Sequence, residues 1–278
     1  MPDQLLVIID PVARRTDGES VRIAKDVLSA GAAAKVCLPD GPEEFARILA
    51  RRGSRRPVVI GDDRALMRAV ALLHRQRALA ECVLSVVPVG SALGVAHSLG
   101  VPTGAVAAAR AVLDGAERRL DLLVDDSDGV VLGALRIPAV PLAPQGEAAL
   151  AQGARPWLRT CQSLVRTLVP SRPSRIADDS DPPGPSRLRV EVDGETLVDL
   201  DQPVEAVSVT PDASGTAAVR VRPLSLGAEA SPLEARGRTV TVSGADFRYR
   251  ADTAVAGPVR RRTWTVREGA LGLVLPSA

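Results

Sequence analysis

Three short segments carry the side chains that can handle a phosphate or a proton. They are Gly61, Asp62, Asp63 and Arg64 after one apolar run, Gly90 and Ser91 after another, and Asp252 near the end of the chain. A strand that ends in a glycine turn and runs into a helix aims backbone N–H groups and the positive end of the helix dipole at one spot, which suits an anion. Glycine permits the φ angles and the close approach that such a turn requires. Asp62 places a carboxylate beside Asp63 where a triphosphate would lie, and Arg64 either neutralises it or clamps a phosphate oxygen. The other reading of GDDRAL is a strand end followed by a helix with Asp63 as its N-cap. Gly90 and Ser91 likewise form either a phosphate turn or a plain turn in which Ser91 caps the next helix. Asp252 can accept a proton from a hydroxyl nucleophile or can serve as a turn residue.

Other clusters compete weakly for chemistry. His74 and His97 lack metal-ligand spacing, and Asp125, Asp126 and Asp128 have the spacing of a solvated turn, so the metal ligands are unknown. Cys37, Cys82 and Cys161 are far apart and odd in number, which fits reduced thiols in a cytoplasmic chain better than disulfides or zinc. Arg51, Arg52, Arg55 and Arg56 form one basic run and Arg260, Arg261 and Arg262 another; each is a solvated loop or a contact for an anionic membrane surface. With 35 basic against 33 acidic residues and 2% aromatics, neither a basic footprint nor a stacking platform for nucleic acid is present.

The elements that must position these residues follow from periodicity. MPDQLLVIID lacks the basic start and long apolar run of a secretory signal, and no run of about 18 apolar residues predicts a spanning helix. Strands are expected at 5–9, 35–38, 57–60 and 83–88, alternating with helices at 21–28, 42–51, 65–73, 92–99 and 103–113. Such alternation predicts parallel pairing. Two strands at 120–124 and 130–135 flank an Asp-rich turn, and a helix is expected over 147–168. A Pro-, Ser- and Asp-rich linker covers 170–186. Beyond it, short Val- and Thr-rich strands at 188–192, 206–210, 217–222, 238–243, 246–251, 262–266 and 271–275 predict an all-β module. The expected fold is α/β + β: a Rossmann-like domain over 1–140, a helix and linker over 141–186, and an antiparallel β-sandwich over 187–278, with a cleft between the domains.

Taken together, the motifs resemble those of the diacylglycerol kinase catalytic family, relatives of sphingosine and NAD kinases, over nearly the whole chain. LLVIIDPVARRTDG is similar to the family's LLVIxNPxxG opening, VVIGDDRAL to the GGDGT segment, and VVPVGSALGVAHSLGVP to PxGTxNDFAxxLGIP. LDGAERRLDL resembles the helix-to-strand passage around a family Asp, and FRYRADTAVAGPVRRRTWTVREGALGLVLP resembles the closing segment with DGE. The resemblance implies ATP with Mg2+ as cofactors of an active member, a lipid substrate at the inner membrane surface, and Asp252 as general base. Asp10, Pro11, Gly61, Asp63, Arg64, Gly90 and Ser91 then fall at the nucleotide site. Departures are clear: Asp10 stands for Asn, Asp62, Arg64 and Ala65 for Gly, Gly and Thr, Leu93 and Gly94 for Asn and Asp, and Thr253 and Ala254 for Gly and Glu. Asp193, Gly194 and Glu195 also spell DGE but open the β module. Three readings result. One is a family member with weak or absent phosphotransfer that senses a nucleotide or lipid, working without a cofactor. Another is an active lipid kinase in which Arg64 and Ser91 hold phosphate. The third is a structural protein that homo-oligomerises through its β module.

Overall fold

The computed structural model describes residues 4–139, 186–224 and 231–277. Its first part alternates strands and helices: β1 (Gln4–Ile9), α1 (Pro11–Thr16), α2 (Gly18–Gly31), β2 (Ala33–Cys37), α3 (Pro42–Ala50), β3 (Arg56–Gly61), α4 (Asp63–Arg75), β4 (Val83–Pro88), α5 (Gly94–Ser98) and α6 (Ala105–Asp114). Strands β5 (Ala116–Asp125), β6 (Val130–Val131) and β7 (Leu135–Ile137) follow. The remainder is β8 (Ser186–Val192), β9 (Glu195–Val198), β10 (Pro203–Asp212), β11 (Thr216–Pro223), β12 (Leu233–Gly237), β13 (Thr239–Ala251) and β14 (Ala254–Leu275). An N-terminal α/β region therefore precedes a strand-rich part, as the periodicity predicts. The expected helix over 147–168, and all of the expected linker except Ser186, lie outside the described residues.

Strands β2, β1, β3 and β4 lie side by side in that order and all parallel. The apolar run of β1 is buried on both faces because helices cover both sides. Leu6 and Ile8 pack with Phe45 and Leu49 of α3 and Leu66, Val70 and Leu73 of α4. Leu5, Val7 and Ile9 face the other way, onto Val21, Ala24 and Leu28 of α2 and Ala108 and Val112 of α6. Burial of each such aliphatic side chain contributes about 1.5–3 kcal/mol, which holds the strand ends, and hence their turns, in fixed positions.

Strand β14 joins the two parts. It runs antiparallel to β13 from Ala254 to Thr265, then antiparallel to β5, and near its end parallel to β4 with Gly272 opposite Val83. The strands expected at 262–266 and 271–275 are one strand, bent at a register shift between Arg267 and Leu271, where Gly269 takes φ +55°. Leu271, Leu273 and Leu275 enter the core under α3 and α4. The buried Asp121 secures the bend, accepting the N–H groups of Gly269 and of Gly215 at 2.7 Å each. The strands expected at 238–243 and 246–251 likewise merge into β13 through a shift between Ser243 and Phe247. In the β-rich core Tyr249 and Trp264 meet edge to face at 5.2 Å, with Phe247 beside them. No helix among the described residues is long and apolar enough to cross a membrane.

Candidate functional site

The turns after β1, β3 and β4 converge on a cleft of about 350 Å³. Val12, Ala13 and Thr16 of α1 form one wall, and Asp62, Gly90 and Ser91 form the opposite one, with Asp17 also on the lining. Of the residues expected at the nucleotide site, only Gly90 and Ser91 line this cleft. Asp10, Pro11, Gly61 and Asp63 are buried near the strand ends, and Arg64 is exposed on the first turn of α4. Gly61 has no room for a side chain, because a Cβ there would lie 2.7 Å from Ala65 Cβ and 3.0 Å from Asp10 Cβ. Gly90 takes φ +129°, and a Cβ on it would lie 3.2 Å from Asp62 Cβ.

Each helix start around the cleft is capped by one of the chain's own aspartates. Asp10 caps α1: its Oδ2 accepts the Val12 N–H at 2.9 Å, while its Oδ1 pairs with Arg68 Nη1 at 2.9 Å. Arg68 in turn lies over the Phe45 ring, 5.7 Å from its centroid. Asp62, not Asp63, is the N-cap of α4, with Oδ1 accepting the N–H groups of Arg64 at 3.0 Å and Ala65 at 3.2 Å. The expectation of Asp63 as cap fails by one position because Asp63 already lies within the helix. Its backbone N–H donates to the Ala92 carbonyl at 2.8 Å. The Asp63 carboxylate reaches across to α5 and accepts the N–H groups of Val95 at 2.8 Å and Ala96 at 3.0 Å. That removes the capping role expected of Ser91: the N-cap of α5 is Leu93, and Asp63 supplies the acceptor.

Asp252 is 4% exposed and occupies the left-handed region at φ +48°. Its Oδ2 accepts the Leu132 N–H at 2.7 Å, and its Oδ1 accepts those of Gly133 and Ala134 at 2.8 Å each. Its own N–H donates to the Ala134 carbonyl at 2.9 Å. The strand expected over 130–135 breaks into β6 and β7 at these three residues, whose N–H groups turn from the ladder to Asp252. Burial raises the carboxyls of Asp63 and Asp252 above their ordinary value, and the backbone donors oppose that only in part. Each also feels a neighbouring carboxylate: Asp62 acts on Asp63, and Asp63 acts on Asp252. Gly133 sits where a Cβ would be 2.9 Å from Asp252 Oδ1 and 3.6 Å from Val95, so the Asp252 loop abuts the helix that Asp63 caps.

The Asp-rich turn is bonded rather than freely solvated. Asp125 Oδ1 accepts from Ser127 and Gly129, and its Oδ2 accepts from the Tyr249 hydroxyl at 3.2 Å. The Ser127 and Gly129 donors and the Arg262 charge hold the Asp125 carboxyl below its ordinary value despite its burial, whereas burial and the Asp125 charge push the Tyr249 phenol up to about 12. Asp126 pairs with Arg262, and Asp128 pairs with His74 at 2.7 Å, so His74 is a tie between α4 and this turn. Among the described residues no three His, Cys, Asp or Glu side chains stand close enough to hold a metal ion.

These residues do not fit a magnesium-bound triphosphate. The charged side chains lining the cleft, Asp17 and Asp62, are both acidic, and the amides of Arg64 and Ala65 already have a carboxylate acceptor. Sequence reasoning identified Asp62 as an obstacle but not as the cap, since two adjacent aspartates before a helix are equally good caps on pattern alone. It missed Arg68 and the 132–134 amides, which become partners only across contacts distant in sequence.

No protein-family model matches the sequence, and no curated protein matches it. Solved structures do. A structure described as a diacylglycerol kinase from Bacillus anthracis str. Sterne is 12% identical, with a TM-score of 0.68 over 99% of this chain and 97% of that one. Two more from the same organism, which bear that name provisionally, are 14% and 13% identical with the same TM-score and coverage. Likeness of this extent at such low identity is likeness of fold, and the chain has the fold of the diacylglycerol kinase-like proteins.

Proposed function

We propose that this chain is a diacylglycerol kinase-like protein in which phosphotransfer from ATP is weak or absent, retained as a ligand-sensing module. In this reading the parallel ladder is a Rossmann-like half and the strand-rich part a β-sandwich. One observation carries the proposal: Asp10, Asp62 and Asp63 occupy the helix-start amides around the cleft, where a phosphate would have to bind. A phosphate entering there would displace a carboxylate from its amides and lie beside it, which sets like charges together in a partly buried site. The cleft instead suits a neutral or cationic polar group, with Val12 and Ala13 as apolar wall and Thr16 and Ser91 as hydroxyls.

The test is a calorimetric titration with magnesium-ATP beside a phosphotransfer assay on diacylglycerol vesicles. Wild type is expected to show neither saturable heat nor product. Asp62→Gly frees the Arg64 and Ala65 amides and removes one charge; it should cost only about a few tenths of a kcal/mol of stability for the lost cap and gain measurable ATP binding. Turnover by wild type at the rate of a competent lipid kinase, lost in Asp252→Asn, would refute the proposal.

A further inference from the structure

The arginine run at 51–56 divides in the folded chain. Arg52 and Arg56 turn back onto the backbone, donating to the carbonyls of Leu49 at 3.3 Å and Val112 at 2.8 Å. Arg51 and Arg55 instead join Lys35 of β2 and Arg47 of α3 around one concavity of about 300 Å³, which Leu6 and Ile48 also line. Glu44 is the single carboxylate on its wall, and its Oε2 is already bonded to the Asp40 N–H at 2.8 Å. Four cations therefore face one partly engaged anion.

Several surface arginines of this chain pair with carboxylates. Arg22 meets Glu19, Arg119 meets Glu117, Arg220 meets Glu234 and Arg238 meets Glu268. Among the described residues Lys35, Arg47, Arg51 and Arg55 form no ion pair with a carboxylate. Gathering four like charges is unfavourable, and the C-terminal carbonyls of α3 offset it only partly. A multivalent anion would relieve it, and guanidinium groups present paired donors that match phosphate oxygens. Strand β2 ends the sheet, and the concavity lies where α3 ends and β3 begins, away from the cleft at the opposite strand ends.

We propose that this concavity is a binding site for a phosphate-bearing polyanion, independent of the ATP question. Two sources share that chemistry, a free pyrophosphate-type anion and the headgroup of an anionic lipid. The full chain is titrated with inorganic pyrophosphate without magnesium, and separately sedimented with phosphatidylglycerol–phosphatidylcholine vesicles at rising salt. Wild type should bind at least one probe, more weakly as salt screens the charges. Which probe binds identifies the source. The double variant Arg47→Glu/Arg51→Glu should bind at least about tenfold more weakly, whereas Glu44→Gln should bind about two- to fivefold more tightly. Opposite changes in two exposed-site variants cannot arise from misfolding. Failure of wild type to bind either probe, or unchanged binding in the double variant, would overturn the proposal.

Discussion

Replacing Asp252 with Ala is expected to destabilise the chain by about 3–5 kcal/mol, read as a shift of the urea midpoint at unchanged slope. The reason is local accounting. Three N–H groups, of Leu132, Gly133 and Ala134, lose their acceptor in a region that buries Leu132 and Asp252. Each orphaned buried donor costs about 1–3 kcal/mol, moderated where water follows. Asp252→Asn should be much milder, on the order of 1–2 kcal/mol, because Asn tolerates the left-handed backbone and one oxygen can still serve Gly133 and Ala134, leaving only Leu132 opposed by an NH2 group. If Asp252 acted only as a proton acceptor for substrate, Asp252→Ala would leave the midpoint where it is.

The second large effect falls on Asp63. Asp63→Ala removes the acceptor of both the Val95 and Ala96 N–H groups and should cost about 2–4 kcal/mol, with amide exchange speeding up first in α5 (94–98). Its pH dependence has a definite sign. The folded carboxyl titrates above its ordinary 3.8, so the folded chain binds this proton more tightly than the unfolded one. The stability tied to the protonated form is complete below 3.8 and is lost as pH rises through the raised folded value. The stability difference between wild type and Asp63→Asn should therefore shrink from about pH 4 towards neutrality. A difference that widens over that range would show that the amide donors outweigh burial.

The layout of the α/β half was legible because strand and helix periods differ and β1, β3 and β4 are apolar on both faces. Boundaries of long bent strands were not, since a register shift interrupts alternation just as a turn does. Ser243 to Phe247 and Arg267 to Leu271 each read as the end of one strand and the start of another. At the site, the types of Asp62, Asp63 and Asp252 were visible but their partners were not. Asp252 meets residues 118 to 120 positions away, and Asp63 meets residues 32 and 33 away. A carboxylate placed to take a proton and one placed to hold backbone amides have the same letter in a sequence, and only the surrounding donors distinguish them. The same holds for the arginine run, whose spacing gives no hint that Arg52 and Arg56 donate to carbonyls while Arg51 and Arg55 line the concavity.

Aspartates of the chain already hold the amides a phosphate would need. The most direct measurement follows the backbone amide resonances of Arg64, Ala65, Val95 and Ala96 in 15N-labelled wild type during titration with magnesium-ATP to millimolar concentrations. These four are expected not to move, whereas Arg64 and Ala65 should move in Asp62→Gly. Saturable shifts of these amides in the wild type would contradict this expectation.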